Sequence, residues 1–296
     1  MKLLGAYTNG NYNIHIYDDG TKIRCNNEDN FEPIFPESID MKISNRCDRM
    51  CPYCHEQSAP DGELANLNHP LLDSIKPYTE LALGGGNVLE HPDLVPFLTR
   101  MRDRHIICNI TLHQWHFLHS FNFIKELVDA NLIHGIGVSV NSNVTEVEMQ
   151  LYQKIPNLVI HVIAGIVSID TLNKLANHNL KLLILGYKDF GRGESYLKHH
   201  SEITSKIQEL EDNLDELRNR FKVISFDNLA IEQLHIRAHI SPERWNKYYM
   251  GNDGQFTMYI DLVKDEYAKS STSKRNFINN NDICFLFANI KREKEN

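Results

Sequence analysis

Short apolar runs recur along the chain at spacings that fit strands. They are IDMKIS (39–44), ELALGG (80–85), HIICNITL (105–112), GIGVSV (135–140), LVIHVIAG (158–165), KLLILGY (181–187) and FKVISF (221–226). Between them, stretches near 64–76, 93–104, 120–131, 144–154 and 169–178 carry helical spacing. Strand and helix alternate throughout, which predicts βα units and a parallel sheet. The longest periodic stretch is 201–221, where Ile203, Ile207, Leu210, Leu214, Leu217 and Phe221 step by four and three without Gly or Pro. It is too short for a coiled coil and predicts an outer helix lying on the sheet. NLAIEQLHI predicts a further helix, and SPERWNKYYM another, with Ser241 as N-cap and Pro242 in the first turn.

Two segments break this rhythm. YNIHIYDDGTKIRC (12–25) predicts a hairpin turning at Asp19-Gly20, and FTMYIDLVKDEYAKSS (256–271) alternates like a second strand pair. Such edge additions close or plug a barrel. The tail NIKREKEN is polar and is expected to fray.

Composition narrows the class only modestly. The 296 residues are 42% hydrophobic and 24% charged, near globular averages, and no run of eighteen apolar residues occurs. The start turns polar too soon for a secretory signal, so we expect a cytoplasmic protein without membrane attachment. A net charge of −8 disfavours a non-specific polyanion binder but leaves room for a local basic groove around a nucleotide or nucleic acid.

Six cysteines, three of them crowded together, do not resemble a secreted disulfide framework. The crowded set is CDRMCPYCHE, residues 47–56. As a redox dithiol, Cys51 and Cys54 would not need a third cysteine four residues upstream. As a haem attachment site, the stretch would go with export. A structural zinc site needs a fourth ligand, and no second CxxC pair follows. Three thiolates spaced C-x3-C-x2-C on one loop can instead hold three corners of a four-iron cluster and leave one iron open.

With this spacing directly after the first strand of the βα series, the chain resembles the radical S-adenosylmethionine (radical SAM) superfamily over about residues 38–230. The resemblance implies an α/β fold, a partial or near-complete parallel (β/α) barrel with flanking β-hairpins. It divides the chain into an N-terminal hairpin extension (1–37), the barrel (38–230) and a C-terminal elaboration of helices and a hairpin (231–296). It also implies a 4Fe–4S cluster on Cys47, Cys51 and Cys54, whose open iron chelates SAM. Electron transfer into the sulfonium then yields methionine and a 5′-deoxyadenosyl radical that abstracts hydrogen from substrate.

Other positions match the family motif by motif. Gly84, Gly85 and Gly86 resemble its glycine-rich segment, where backbone carbonyls accept from the SAM ammonium group. Asn87 stands where Glu is usual and Val88 where Pro is usual, so the segment is read as a backbone contact without an ionic role at 87. Ser139 and Asn141 fall at the ribose-contacting strand end, Ile163, Ala164 and Gly165 at the adenine-packing one, and Tyr53 matches the aromatic between the cysteines. Lys188 or Arg192 is placed to hold a carboxylate or phosphate, against the alternative of a solvated loop charge. His55 and Glu56, beside the cluster, are placed to tune it or to donate protons, and His91 belongs to a helix start.

His113, His116 and His119 have no acidic or thiol partner spaced to complete a metal site; Gln114, Trp115 and His116 are expected to line a substrate pocket. Asp227 and Asn228 sit where barrel active sites gather, and Asp261 satisfies a turn or meets substrate. No catalytic residue is assigned.

The favoured substrate is a small molecule or nucleotide, with a reductant such as flavodoxin or ferredoxin as partner. Peptide maturation and activation of a glycyl-radical enzyme are the alternatives. Cys284 alone cannot hold an auxiliary cluster, which weighs against peptide maturation. A reading from another class is a protein that binds the cluster and SAM without radical chemistry.

Overall fold

The computed structural model of the chain describes residues 1–28, 30–141 and 143–293. The strands are β1 (Leu3–Asn9), β2 (Tyr12–Tyr17), β3 (Lys22–Cys25), β4 (Ser38–Ser44), β5 (Glu80–Gly85), β6 (Ile107–His113), β7 (Gly135–Ser139), β8 (Leu158–Ile163), β9 (Lys181–Leu185), β10 (Val223–Phe226), β11 (Thr257–Asp261), β12 (Glu266–Ala268) and β13 (Asn276–Phe277). The helices are α1 (Leu94–Asp103), α2 (Gln114–His119), α3 (Phe121–Asp129), α4 (Glu146–Gln153), α5 (Ile169–Leu175), α6 (Arg192–His199), α7 (Glu202–Leu217), α8 (Asn228–Gln233), α9 (Pro242–Tyr248) and α10 (Ile283–Arg292).

Strands β4 to β10 pair in parallel in chain order, as the βα alternation predicts. The expected C-terminal strand pair forms, and β11 does more than flank the sheet. It pairs parallel with β4 and adds an eighth parallel strand, while β12 and β13 follow antiparallel. No pair joins β10 to β11 among the described residues, so the parallel barrel is partial.

Burial alternates along the central strands because the two faces meet different surroundings. On one face Ile39, Met41, Leu81, Leu83, Ile110, Val138, Ile160, Val162, Leu182 and Ile184 are buried against helices, including Leu98 of α1 and Leu210 of α7. On the other, Asp40, Ala82, Asn109, Thr111, His161 and Leu183 line a lumen and remain partly accessible. Period-two alternation in a parallel sheet is thus the signature of an interior left open.

The hairpin predicted at 12–25 is part of a three-stranded meander with β1, and it covers the N-terminal ends of the parallel strands. Asn157 Nδ2 donates to Asp18 O at 2.8 Å and Lys181 Nζ to Asp19 O at 3.2 Å, both into the hairpin turn. Lys22 Nζ lies 2.6 Å from the Glu80 carboxylate at the start of β5. Arg24 makes a two-pronged contact with Glu37 just before β4.

Three local expectations are corrected. The stretch near 64–76 forms only a short 3-10 turn at Pro70–Ser74, because Leu64 bridges to Ser44 and Pro70 stands in the middle of the expected helix. The helix expected over 201–221 ends at Leu217. The tail is not frayed through its first residues: α10 runs to Arg292 because Leu286, Phe287 and Ile290 are buried, and Lys291 Nζ donates to Pro33 O at 2.8 Å. Residues 294–296 lie outside the described residues.

Candidate functional site

The cysteine loop leaves the C-terminal end of β4 and is held from several sides by backbone. Cys47 N donates to Ala59 O at 2.9 Å, Cys54 N to Cys51 O at 3.1 Å and Gln57 N to Cys54 O at 3.2 Å. Alongside it runs the glycine segment after β5: Gly86 N donates to Ser44 O at 2.7 Å and Asn87 N to Arg46 O at 2.6 Å. A Cβ on Gly86 would stand 2.1 Å from Arg46 O, so a side chain there would push this segment off the loop. Around the Gly84 Cα, by contrast, a Cβ would meet nothing within 4 Å. Gly84 therefore presents bare backbone to open space, and Gly85 and Gly86 serve the junction.

Asn87 has a local task. Its Oδ1 accepts from Leu89 N at 3.3 Å at the start of the Val88–Glu90 turn, and its Nδ2 donates to Glu90 Oε1 at 2.9 Å. This is the cap that Asn provides and that a Glu would not.

On the other side, Arg192 at the start of α6 donates from Nε to Cys51 O at 3.0 Å and from Nη2 to Ser58 O at 2.9 Å, while its backbone N reaches Cys54 O at 3.2 Å. The expectation that Arg192 holds an anion gives way here to a clasp on loop carbonyls. Gly191, with φ at +60°, seats the contact; a Cβ would lie 2.3 Å from His55 O.

All three cysteines are free and half-buried. Burial pushes the Cys47 and Cys51 thiols above their ordinary range, and neighbouring thiols add to the shift. Thiols that oppose one another's ionisation on one loop suit a positively charged metal group, which would let them ionise together. The donor set therefore fits an iron–sulfur cluster.

Beneath the loop, Tyr53, His55, Ile163, Leu185, Gly186, Tyr187 and Lys188 line a small cavity. The Tyr53 hydroxyl accepts from Asn141 Nδ2, and its ring packs edge-on to Tyr196. Asn141 is restrained from α2: its backbone N donates to Gln114 Oε1 at 3.1 Å, and Gln114 Nε2 donates to Glu148 Oε1 at 3.2 Å. Tyr53, Asn141 and Ile163 are thus brought together, and Ser139 stands half-buried at the end of β7. Gly165 is turned elsewhere; with φ at +81°, its vacant Cβ position lies 2.7 Å from Ile203 of α7.

A charged group between the loop and β11 is absent from the sequence reading. Lys42 Nζ lies 2.8 Å from Glu56 Oε2 and 3.2 Å from Asp261 Oδ2, and all three are largely buried. The Tyr259 hydroxyl donates to Glu56 Oε1 at 3.2 Å. Burial opposes ionisation of Glu56, but the His55 hydrogen bond and the His55 and Lys42 charges outweigh it and hold the carboxyl well below the usual range. The available signal was parity: in IDMKIS, Asp40 and Lys42 alternate with Ile39, Met41 and Ile43 and so share the lumen face.

Lys188 Nζ donates to Ser271 Oγ at 2.7 Å and lies 3.2 Å from His55 Nε2, with no carboxylate in contact among the described residues. Asp227 is engaged by Gly186 N at 2.9 Å and Ala230 N at 2.7 Å, and Asn228 donates to Asp253 at 2.6 Å. Asp261 Oδ1 accepts from Val263 N and Lys264 N, the turn role expected of it. His91 accepts from Asp93 N at 3.2 Å, as a helix-start residue does.

The three histidines of α2 and its flank separate. His113 Nδ1 caps α2 by accepting from Trp115 N at 3.0 Å, and His119 Nδ1 lies 2.8 Å from Trp115 O. His116 is buried, and its Nε2 lies 2.7 Å from Asp48 Oδ1. The acidic partner missing from its sequence neighbourhood comes from the cysteine loop. Arg49 lies over the Trp115 ring at 4.2 Å, so Trp115 packs on the loop.

No protein-family model matches the chain, and no curated protein matches it. Among solved structures, the chain is similar to Streptococcus suis SuiB. With SuiB bound to S-adenosylmethionine the TM-score is 0.57 at 12% identity, covering 83% of this chain and 64% of that one. With SuiB bound to precursor peptide SuiA it is 0.52 at 13% identity, covering 90% and 63%. The chain spans less than two thirds of the length of these SuiB chains, and the likeness is one of fold. No helix among the described residues is long and apolar enough to cross a membrane.

Proposed function

We propose that the chain is a radical SAM enzyme, with Cys47, Cys51 and Cys54 holding a 4Fe–4S cluster at the C-terminal end of the partial barrel. The observation that supports this reading is the loop itself: three free, half-buried thiols on one loop, clasped by Arg192 on one side and by the Gly85–Asn87 segment on the other. When bound, the cluster supplies an electron to the sulfonium of SAM, releasing methionine and a 5′-deoxyadenosyl radical.

The chain's own residues supply binding and shielding. Gly84 offers backbone to the methionine portion of SAM, and Gly85, Gly86 and Asn87 keep that segment in register with the loop. Tyr53, Asn141 and Ile163 offer an aromatic face, a polar group and an apolar wall for the nucleoside, with Ser139 nearby. Gly165 contributes a turn beside α7. The meander lies over the opposite end of the strands, away from the proposed site.

Anaerobic reconstitution with iron and sulfide, then dithionite and SAM, tests the reading. We expect 5′-deoxyadenosine above a Cys51→Ala control. A four-iron cluster without deoxyadenosine under any reductant would favour the non-radical reading, and no cluster at all would end both. For substrate, the sequence favours a small molecule or nucleotide. A peptide is the second reading, and its support is that a fold covering 90% of this chain holds precursor peptide in SuiB. Deuterium transfer into deoxyadenosine from labelled candidates separates the two. The reductant, flavodoxin or ferredoxin, is part of the same proposal.

A further inference from the structure

Cys47, Asp48 and His116 each place one donor atom within 4.8 Å of the others, one sulfur, one carboxylate oxygen and one imidazole nitrogen. We infer that these three residues form a second metal site, for a single divalent transition ion of the zinc class, occupied when the cluster is absent. It uses one cluster cysteine and neither of the other two.

The donor chemistry is that of zinc: thiolate, imidazole and carboxylate, with a fourth position left to water. Zinc bonds of roughly 2.0–2.3 Å set tetrahedral donors about 3.3–3.8 Å apart, so the side chains need to shift by only about an ångström. His116 is fixed for the purpose, 4% exposed on α2, with Nε2 directed at Asp48 Oδ1. That oxygen is also 3.2 Å from Arg49 Nε, so Asp48 reaches the site with one competing cation beside it. Binding displaces the proton shared by His116 and Asp48 and the proton of the Cys47 thiol. Because Cys47 belongs to both groups, the ion and the cluster exclude each other. Only this exclusion rests on the radical SAM reading; the three-donor site does not.

Zinc titration of the full chain, stripped of iron by chelation without oxygen, tests the site, with cobalt(II) as the optical probe. The expected result is one ion per chain with a cobalt–thiolate band. Cys51→Ser and Cys54→Ser should leave affinity and band unchanged. Cys47→Ser should remove the band, and Asp48→Ala and His116→Ala should each weaken zinc by more than the roughly 10–100-fold typical of losing an outer-shell partner. Asp48 is largely exposed, so its variant stays informative if buried His116→Ala fails to fold. Loss of binding in Cys51→Ser or Cys54→Ser, retention in Asp48→Ala, or no binding by the parent chain overturns the site. Since cluster formation and deoxyadenosine are measured separately, failure of the enzyme reading leaves this result standing.

Discussion

Arg192→Ala probes whether the cysteine loop is held by the fold rather than by the cluster proposed for it. The guanidinium donates to Cys51 O at 3.0 Å and Ser58 O at 2.9 Å, carbonyls on either side of Cys54. Hydrogen bonds from a charged donor contribute about 1.5–3 kcal/mol each, and Arg192 is partly exposed, so water recovers some of the loss and a total of about 2–4 kcal/mol is expected. Urea unfolding of the cluster-free chain reads this as a lower midpoint at unchanged slope. If the loop opens locally, hydrogen exchange at the Cys47 and Cys54 amides, both bonded within this region, should quicken instead. Arg192→Lys keeps the charge but not the fork, and should fall between. A loss under about 0.5 kcal/mol with unchanged exchange would show that the clasp holds nothing, since that is the size of an ordinary surface substitution.

Lys42→Met should cost about 3–5 kcal/mol in denaturant unfolding, because Glu56 and Asp261 are left buried without their shared cation; adding Glu56→Gln should recover part of it. Gly191→Ala should lower cluster iron per chain and thermal stability together, since its Cβ meets the His55 backbone at a φ of +60°; an unaltered melting temperature would refute the seat. Burial lowers the His161 imidazole to about 4, while an unfolded chain protonates near 6.5. The unfolded state therefore takes up the proton first, and stability should fall from pH 6.5 towards 4 by up to about 3 kcal/mol. His161→Gln should flatten that part of the pH profile; an identical slope in the variant would refute the assignment.

Much of the barrel was legible because its signals are local. ELALGG is a strand over the residues expected, and the helix starting at Ser241-Pro242 forms with the Ser241 hydroxyl accepting from Arg244 N. The stretch near 64–76 misled because helical spacing there competes with Pro70 and with a bridge from Leu64 to Ser44. Helix α2 was missed because its six residues are shorter than one reading window, and β1 because alternation in MKLLGAYTNG is weak. The cysteine loop and the glycine run were also readable, each being a run of adjacent residues, and the structure sets them side by side through Gly86 N to Ser44 O and Asn87 N to Arg46 O.

By itself, the sequence determined the βα alternation, the three-cysteine loop and the glycines beside it, all of which depend on neighbours within a few positions. Only the tertiary structure decided what the charged and polar side chains do. Arg192 grips Cys51 across 141 residues, His116 meets Asp48 across 68, and β11 joins β4 from the far end of the chain. Periodicity records which face a residue occupies, whereas its partner is set by which strand ends the closing sheet brings together.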